Sequence, residues 1–208
     1  MFLGAGTAAA EDSAQFKVCV QPMGKYEIKL VEVVARGAAY LYGVTVDTLE
    51  PIKMPKAAYY KPRKRWRAEK ILDHLEDNVA DGSGCNLVIG FTQEDISTTK
   101  DQYKDWGIFG LATLGGPTGV VSTHRLGKKT TRSKKAKRAV KVFNHELGHA
   151  FGAPHIPKRG CLMQDAAGTI KTVDSEAGLL CAGSRKLIEK KNAITLPVIE
   201  RFDWNAVL

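Results

Sequence analysis

The sequence predicts an α/β fold with a twisted, mostly parallel β-sheet, one antiparallel edge strand, and a helical, loop-rich C-terminal part. Strand-like segments alternate with amphipathic helical segments through most of the chain, as in sheets that are covered by helices. Residues 86–91 are an almost unbroken apolar run, typical of a strand buried on both faces of a parallel sheet. Two later apolar segments are joined by a Gly-Gly-Pro turn at residues 115–117, which favours antiparallel pairing.

The individual elements follow from the spacing of apolar side chains. The predicted strands cover residues 16–22, 44–49, 86–91, 108–114 and 119–123. Residues 26–42 have apolar side chains at helical spacing up to Gly43, a residue type that commonly ends helices. Residues 66–81 predict a second amphipathic helix, which ends at the Gly-Ser-Gly sequence of residues 82–84.

Composition and length limit the class of protein. The chain has 208 residues, of which 44% are hydrophobic and 25% are charged, as in ordinary globular proteins. We therefore expect one domain over residues 16–208. A chain of this length forms a core without metal or disulfides, so a bound metal would serve chemistry. No run of 18 apolar residues is present, which excludes a membrane-spanning helix.

The first 15 residues predict no folded element. Residues 2–10 are weakly apolar and end in three alanines, as at a signal-peptide cleavage site, but a basic start and a full apolar core are missing. We interpret residues 1–15 as either a flexible leader or a signal remnant. An exported or periplasmic location and a cytoplasmic location therefore both stay open.

The basic excess of the chain is concentrated in two clusters. Lys and Arg number 31 against 22 Asp and Glu, and the clusters lie at residues 61–67 and 128–141. We interpret both as solvated surfaces.

Tyr59, Tyr60 and Trp66 beside the first cluster suggest base stacking, but no nucleic-acid-binding signature accompanies them, so a nucleic-acid partner stays only a minor alternative. We expect a monomer.

The most informative segment is the match of residues 145–155 to H-E-x-x-H-x-x-G-x-x-H. A chance match in a chain of this composition has a probability of about 10⁻⁵. His145 and His149 are one helical turn apart, and Gly152 allows the sharp turn that returns His155 towards them. Three protein ligands and one open position are typical of catalytic zinc, whereas structural sites are usually closed by cysteines.

Glu146 lies next to the first of these histidines and is placed to act as a general base. Zinc lowers the pKa of a bound water, the carboxylate removes its proton, and the hydroxide attacks a polarised carbonyl. The alternatives are two surface histidines on a helix or a structural zinc site. The extended motif and the glutamate make us favour the catalytic interpretation.

This motif resembles that of the metzincin metallopeptidases, and the residues after it are similar to the archaemetzincin branch. The similar segments are Cys161-Leu-Met163-Gln and residues 180–187, together with Gly110-Leu111-Ala112 and residues 122–126 upstream. The resemblance implies a zincin-like fold, a zinc-dependent peptidase activity, and a methionine turn under the metal formed by Met163. It covers residues 16 to 187 and is strongest from 144 to 163.

The chain also departs from this family. Archaemetzincins usually have four cysteines that bind a second, structural zinc ion, but here Ile156 and Ser184 occupy two of those positions. We therefore predict one zinc ion per chain. The resemblance places Cys161 and Cys181 close together, so that they either form a disulfide or retain part of the structural site. Cys19 and Cys85 fall in or beside predicted strands, where we expect free, buried cysteines.

The sequence thus predicts a zinc-dependent peptidase. We expect an extended peptide to pair with the edge strand at Gly110, Leu111 and Ala112, which would hold its scissile carbonyl near the zinc. Two alternatives stay open: a catalytically silent zinc-binding protein of the same fold, and a zinc hydrolase of a non-peptide amide. The side-chain preference of the enzyme does not follow from the sequence.

Overall fold

The computed structural model describes residues 16–127 and 130–208. The strands are β1 (Lys17–Pro22), β2 (Thr45–Thr48), β3 (Tyr59–Tyr60), β4 (Arg65–Arg67), β5 (Leu87–Thr92), β6 (Ile96–Lys100), β7 (Tyr103–Gly107), β8 (Gly110–Ala112) and β9 (Thr118–Ser122). The helices are α1 (Ile28–Tyr42), α2 (Ala68–Leu75), α3 (Asp81–Ser83), α4 (Arg132–Ala150), α5 (Ile170–Ser175), α6 (Ala182–Asn192) and α7 (Trp204–Val207). The predicted leader and part of the second basic cluster lie outside the described residues. Within the described chain, no helix is long and apolar enough to cross a membrane.

The larger sheet has five strands in the order β2-β1-β5-β9-β8. The pairs β1 with β2, β1 with β5 and β5 with β9 are parallel, and β8 pairs antiparallel with β9 at the edge. Every residue of β5, the central strand, is buried. The predicted mostly parallel sheet with an antiparallel edge strand is therefore confirmed.

Side chains that alternate along these strands enter two separate cores. Val18, Ile89 and Val121 pack with α1 and α4 on one face of the sheet. Cys19, Val88 and Val120 pack with α2 on the other face. Because both faces are covered, the strands are apolar throughout, which is why their sequences contain nearly unbroken apolar runs.

A second sheet, of four strands in the order β3-β4-β6-β7, was not predicted. Its strands are short and rich in Arg, Thr, Lys and Tyr, so they lack an apolar alternation. The predicted helix start at Trp66 was wrong, because Trp66 lies in β4 and pairs with Tyr59 and Ile96. Helix α2 begins at Ala68. After α2 the chain continues through a π-helical segment, Glu76–Ala80, into α3.

Both cysteine pairs form disulfides. The parallel pairing of β1 with β5 places Cys19 opposite Val88, and Cys85 precedes β5 with its Cα 6.0 Å from that of Cys19. The expectation of free cysteines at these two positions was therefore wrong, because β1 and β5 are neighbours and the segment just before β5 approaches β1 closely enough for the bond. Cys161 and Cys181 form the second disulfide, with their Cα atoms 5.6 Å apart.

Candidate active site

Helix α4 carries the first half of the motif. Thr131 caps its start, with the hydroxyl accepting a hydrogen bond from the backbone N–H of Lys134 at 3.2 Å. Val140, Phe143 and Leu147 are fully buried and hold the helix against the large sheet. This packing leaves His145 and His149 on the side of the helix that faces the cleft.

The chain turns back sharply after α4. Gly152 has a φ of +89°, a conformation that L side chains rarely adopt, and its N–H donates to the carbonyl of His149 at 2.8 Å. The turn returns His155 to the two helical histidines. The Nε2 atoms of His145 and His155 are 3.1 Å apart, those of His149 and His145 are 3.1 Å apart, and those of His149 and His155 are 3.0 Å apart.

The other ring nitrogens have backbone partners. Nδ1 of His145 lies 2.6 Å from the carbonyl oxygen of Leu162, and Nδ1 of His149 lies 2.8 Å from that of Ala153. Donation from Nδ1 leaves the Nε2 lone pairs directed at one another. Burial lowers the pKa of His145 to about 3 and that of His149 to about 4, so both rings are neutral near pH 7.

This arrangement fits a zinc ion. Tetrahedral ligand nitrogens at about 2.0–2.1 Å from zinc lie about 3.3 Å from each other, close to the three observed separations. Histidine, cysteine and acidic side chains are the usual metal ligands. Among the described residues, these three histidines are the one group of such side chains whose ligand atoms converge closely enough to hold an ion.

Glu146 is buried beside the histidines and lines the same cleft. Its position depends on Gly110 of the edge strand, because a Cβ at that residue would lie 2.6 Å from Oε1 of Glu146. Burial raises the pKa of Glu146 to about 8, so the carboxyl group has a high affinity for a proton.

Met163 is fully buried underneath α4. A Cβ at Gly148, between the two helical histidines, would lie 2.5 Å from its Sδ atom. The residue before it, Leu162, supplies the carbonyl that orients His145, and Cys161 ties the same segment to Cys181. This short segment thus supports the histidines both by packing and by hydrogen bonding.

Comparison with known proteins gives a consistent result. The model of Peptidase family M54 matches residues 20–190, which is most of the chain. This chain belongs to peptidase family M54. Members of this family include the archaemetzincins, which are zinc-dependent peptidases, and the resemblance found in the sequence is confirmed.

Individual M54 relatives align over most of their length. Archaemetzincin from Haloarcula marismortui is 29% identical over 177 residues, which cover 81% of this chain and 97% of the relative. Archaemetzincin from Methanopyrus kandleri is 31% identical over 138 residues, or 66% of this chain and 74% of the relative. Its crystal structure superposes with a TM-score of 0.75 at 26% identity, covering 88% of this chain and 98% of that one. The structure of archaemetzincin from Archaeoglobus fulgidus, complexed with malonate, gives a TM-score of 0.70 at 25% identity and covers 83% and 99%.

The M54 site opens into a cleft of about 580 Å³. One wall consists of β8 and of residues from the small sheet, including Lys100 and Trp106. The opposite wall consists of α4, α5 and the residues that follow each of them. The predicted edge strand, Gly110, Leu111 and Ala112, therefore borders the cleft directly.

The sequence analysis did not identify four charged residues of the M54 cleft as site residues, namely Lys100, Lys141, Asp165 and Glu176, and two of these are buried. Lys141 belongs to the basic cluster that was interpreted as a solvated surface, but it is buried, and its ammonium group donates to the carbonyls of Val173 at 2.9 Å and Glu176 at 2.6 Å. Glu176 is also buried, and burial raises its pKa to about 8 although the nearby Lys141 opposes the rise. Lys141 is one helical turn before His145, which was the available signal that it faces the cleft.

Several other residues of the two basic clusters are paired with acidic side chains. Arg138 and Lys134 contact Asp174, and Lys135 contacts Glu27. In the first cluster, Arg63 and Arg65 both contact Asp105. The rings of Tyr59 and Trp66 pack against each other across two strands, with centroids 5.0 Å apart.

Proposed function

We propose that this M54 protein hydrolyses peptide bonds at a single zinc ion held by His145, His149 and His155. The observation that carries the proposal is the convergence of three Nε2 atoms within 3.1 Å, while the Nδ1 atoms of two rings are committed to backbone carbonyls. Neutral imidazoles oriented in this manner are the ligand form that zinc requires.

Zinc supplies Lewis acidity at such a site, which acidifies water and polarises a carbonyl oxygen. Glu146 is the general base and removes the proton of the attacking water. Its position beside the histidines in the cleft allows it to take a proton from the water and deliver it to the leaving amine. Gly110 keeps the space that the carboxyl group occupies.

The substrate binds as an additional strand along β8. This strand pairs with β9 on one side only and lines the cleft on the other, so the outer backbone groups of Gly110, Leu111 and Ala112 are available to an extended peptide. Such pairing fixes the scissile carbonyl near the histidines. Met163 and Gly152 are positioning residues, since they set the location of the histidines without reaching substrate.

The chain binds one zinc ion and lacks the second, structural one. Cys161 and Cys181 are joined to each other, and Ile156 offers no ligand atom. Ser184, at the fourth position, is buried and contributes a neutral hydroxyl, which is a poor zinc ligand. The disulfide takes over the cross-linking function of the missing ion.

The test combines peptide cleavage with metal analysis. Wild-type protein and the variants Glu146→Ala and His149→Ala are loaded with zinc and incubated with a mixed peptide library, and the products are identified by mass spectrometry. We expect cleavage by the wild type, about 10²- to 10⁴-fold slower cleavage by Glu146→Ala with one zinc retained, and loss of zinc from His149→Ala. Full activity of Glu146→Ala, or two tightly held zinc ions, would contradict the proposal. A zinc-loaded wild type that cleaves no peptide indicates a silent binding protein or an enzyme for another amide.

A further inference from the structure

The wall of the cleft formed by α4 and α5 contains a carboxylate that the hydrolytic mechanism does not use. Glu176 follows α5, lines the cleft and is only 8% exposed. Among the described residues none donates a hydrogen bond to its side chain, and Lys141 acts on it only through its charge. The oxygens of Glu176 are not among the fully enclosed side-chain atoms without a partner, so the carboxylate can be reached from the cleft.

Two donors that are close enough to interact electrostatically with this carboxylate are committed to other acceptors. The ammonium group of Lys141 has three N–H donors, and its three acceptors are the backbone carbonyls of Val173, Asp174 and Glu176, at 2.9, 3.4 and 2.6 Å. The hydroxyl of Tyr42, which is close enough to sense the charge of Glu176, donates to the carbonyl of Asn144 at 2.6 Å. The Glu176 carboxylate is therefore left to accept hydrogen bonds from whatever enters the cleft.

We propose that Glu176 forms the end of a side-chain pocket that selects a lysine or arginine side chain of the peptide substrate. This inference rests on the peptidase function proposed above. Val142 and Val173 also line the cleft: Val142 is next to Lys141 in the sequence, and the carbonyl of Val173 accepts a hydrogen bond from Lys141. Both suit the aliphatic stem of a lysine or arginine side chain. The cationic end then meets Glu176 and donates hydrogen bonds to it, and its charge favours the ionised carboxylate against the burial that raises the pKa of this group to about 8.

Lys141 does not reverse this preference. Its charge is surrounded by three carbonyl oxygens and it presents no free donor to the cleft, so it offers an acidic substrate side chain no hydrogen bond. Lys141 instead holds the backbone of residues 173–176 against α4. It thereby positions Glu176, and an acidic substrate side chain would be placed next to the unpaired carboxylate.

The first test measures cleavage preference. Zinc-loaded wild type is profiled on a randomised peptide library, and the product ends show which residues are enriched on each side of the cut. Matched peptides with lysine or norleucine at the enriched position are then compared, because norleucine keeps the stem and lacks the charge. We expect kcat/KM to favour lysine by about 10- to 100-fold, the range for a hydrogen bond to a charged group.

Glu176→Gln should reduce this ratio about tenfold or more, since it keeps the shape and removes the charge. Glu200→Gln is the matched control: it changes the net charge equally at an exposed residue away from the cleft, and the ratio should not change. Cleavage without enrichment of lysine or arginine, or a preference that persists in Glu176→Gln, would overturn the inference and leave the peptidase function intact.

Binding separates this inference from the proposed function. The affinities of the lysine and norleucine peptides for zinc-loaded Glu146→Ala are measured by calorimetry, with and without Glu176→Gln. Tighter binding of the lysine peptide that disappears in the double variant supports the pocket even if no peptide is cleaved. Equal affinities for the two peptides, or tighter binding of a glutamate peptide, would overturn it.

Discussion

The five-stranded sheet and the four-stranded sheet both border the cleft, but different interactions hold them in place. The large sheet is covered on both faces, and its strands contribute fully buried side chains such as Val20, Ile89 and Val121. The small sheet buries Ile96 in the second core, and ion pairs of partly exposed side chains also hold it: Asp95 accepts hydrogen bonds from Arg65 at 2.8 Å and from Arg125 at 2.8 and 2.9 Å. Helix α4, which carries His145 and His149, packs against the first sheet.

This difference assigns different tasks to the two sheets. Apolar burial on both faces fixes the large sheet and α4 as one unit, so the histidines keep their separations. The small sheet contributes Lys100 and Trp106 to the cleft through contacts that are partly exposed and therefore weaker. We expect changes in the large sheet to affect folding and metal binding together, and changes in the small sheet to affect mainly the substrate cleft.

The largest effect is expected from Phe143→Ala in the core between α4 and the large sheet. Phe143 is fully buried, and truncation of such a side chain lowers the free energy of unfolding by about 3–5 kcal/mol. Denaturant unfolding measures the loss, and zinc affinity should fall with it. Tyr103→Ala, at a half-exposed position of β7, is the comparison and should cost less than about 1 kcal/mol. Similar losses in the two variants would contradict the division.

Removal of the Cys161–Cys181 disulfide tests whether residues 161–163, which support the histidines, are held as firmly as the large sheet and α4. The bond closes a loop with a sequence separation of 20, for which the chain-entropy model predicts about 3 kcal/mol of stabilisation. The double variant Cys161→Ser, Cys181→Ser should be less stable by this amount in denaturant unfolding and should bind zinc more weakly, because Leu162 and Met163 lose their anchor. Unchanged zinc affinity would show that packing alone holds this segment.

Asp95→Asn should loosen the small sheet while leaving the histidines in place. The amide cannot pair with both Arg65 and Arg125 as the carboxylate does, and we expect a loss of about 1–2 kcal/mol, since these side chains are partly exposed. Zinc affinity, measured by competition with a chelator, should stay at the wild-type value while KM for peptides rises. A fall in zinc affinity equal to that of Phe143→Ala would disprove the independence of the two sheets.

The smallest effect is expected at acidic pH from the contact between α4 and α5. Hydrogen bonds from Arg138 lower the pKa of Asp174 from 3.8 to about 2. Because the folded-state pKa is lowered, this contribution to stability is fully present above pH 4 or so and is lost as the pH falls towards 2. Arg138→Gln should therefore lose stability at neutral pH and show a weaker pH dependence between about 4 and 2. Parallel pH profiles for the two proteins would exclude this ion pair as the cause.

The extent of the sequence predictions follows the same division. The large sheet, α1, α4 and the edge pair β8 and β9 were predicted from the spacing of apolar residues. A strand buried on both faces has an almost continuous apolar run, and a helix that packs on a sheet has apolar residues along one side. The small sheet was missed because its polar strands have no such period. The helix predicted from Trp66 was placed two residues early, since strand pairing with β6 competes with helix formation there.

The sequence by itself determined the zinc motif, because the spacing of His145, Glu146, His149, Gly152 and His155 follows from the geometry of one helix and one turn. Only the tertiary structure decided which distant residues meet. It joined Cys19 of β1 to Cys85, which precedes the neighbouring strand β5, and it enclosed the cleft with the small sheet. It also buried Lys141 and left Glu176 without a donor. The spacing of residues along the sequence predicts contacts within one helix or turn, whereas contacts between remote segments depend on how complete helices and strands pack.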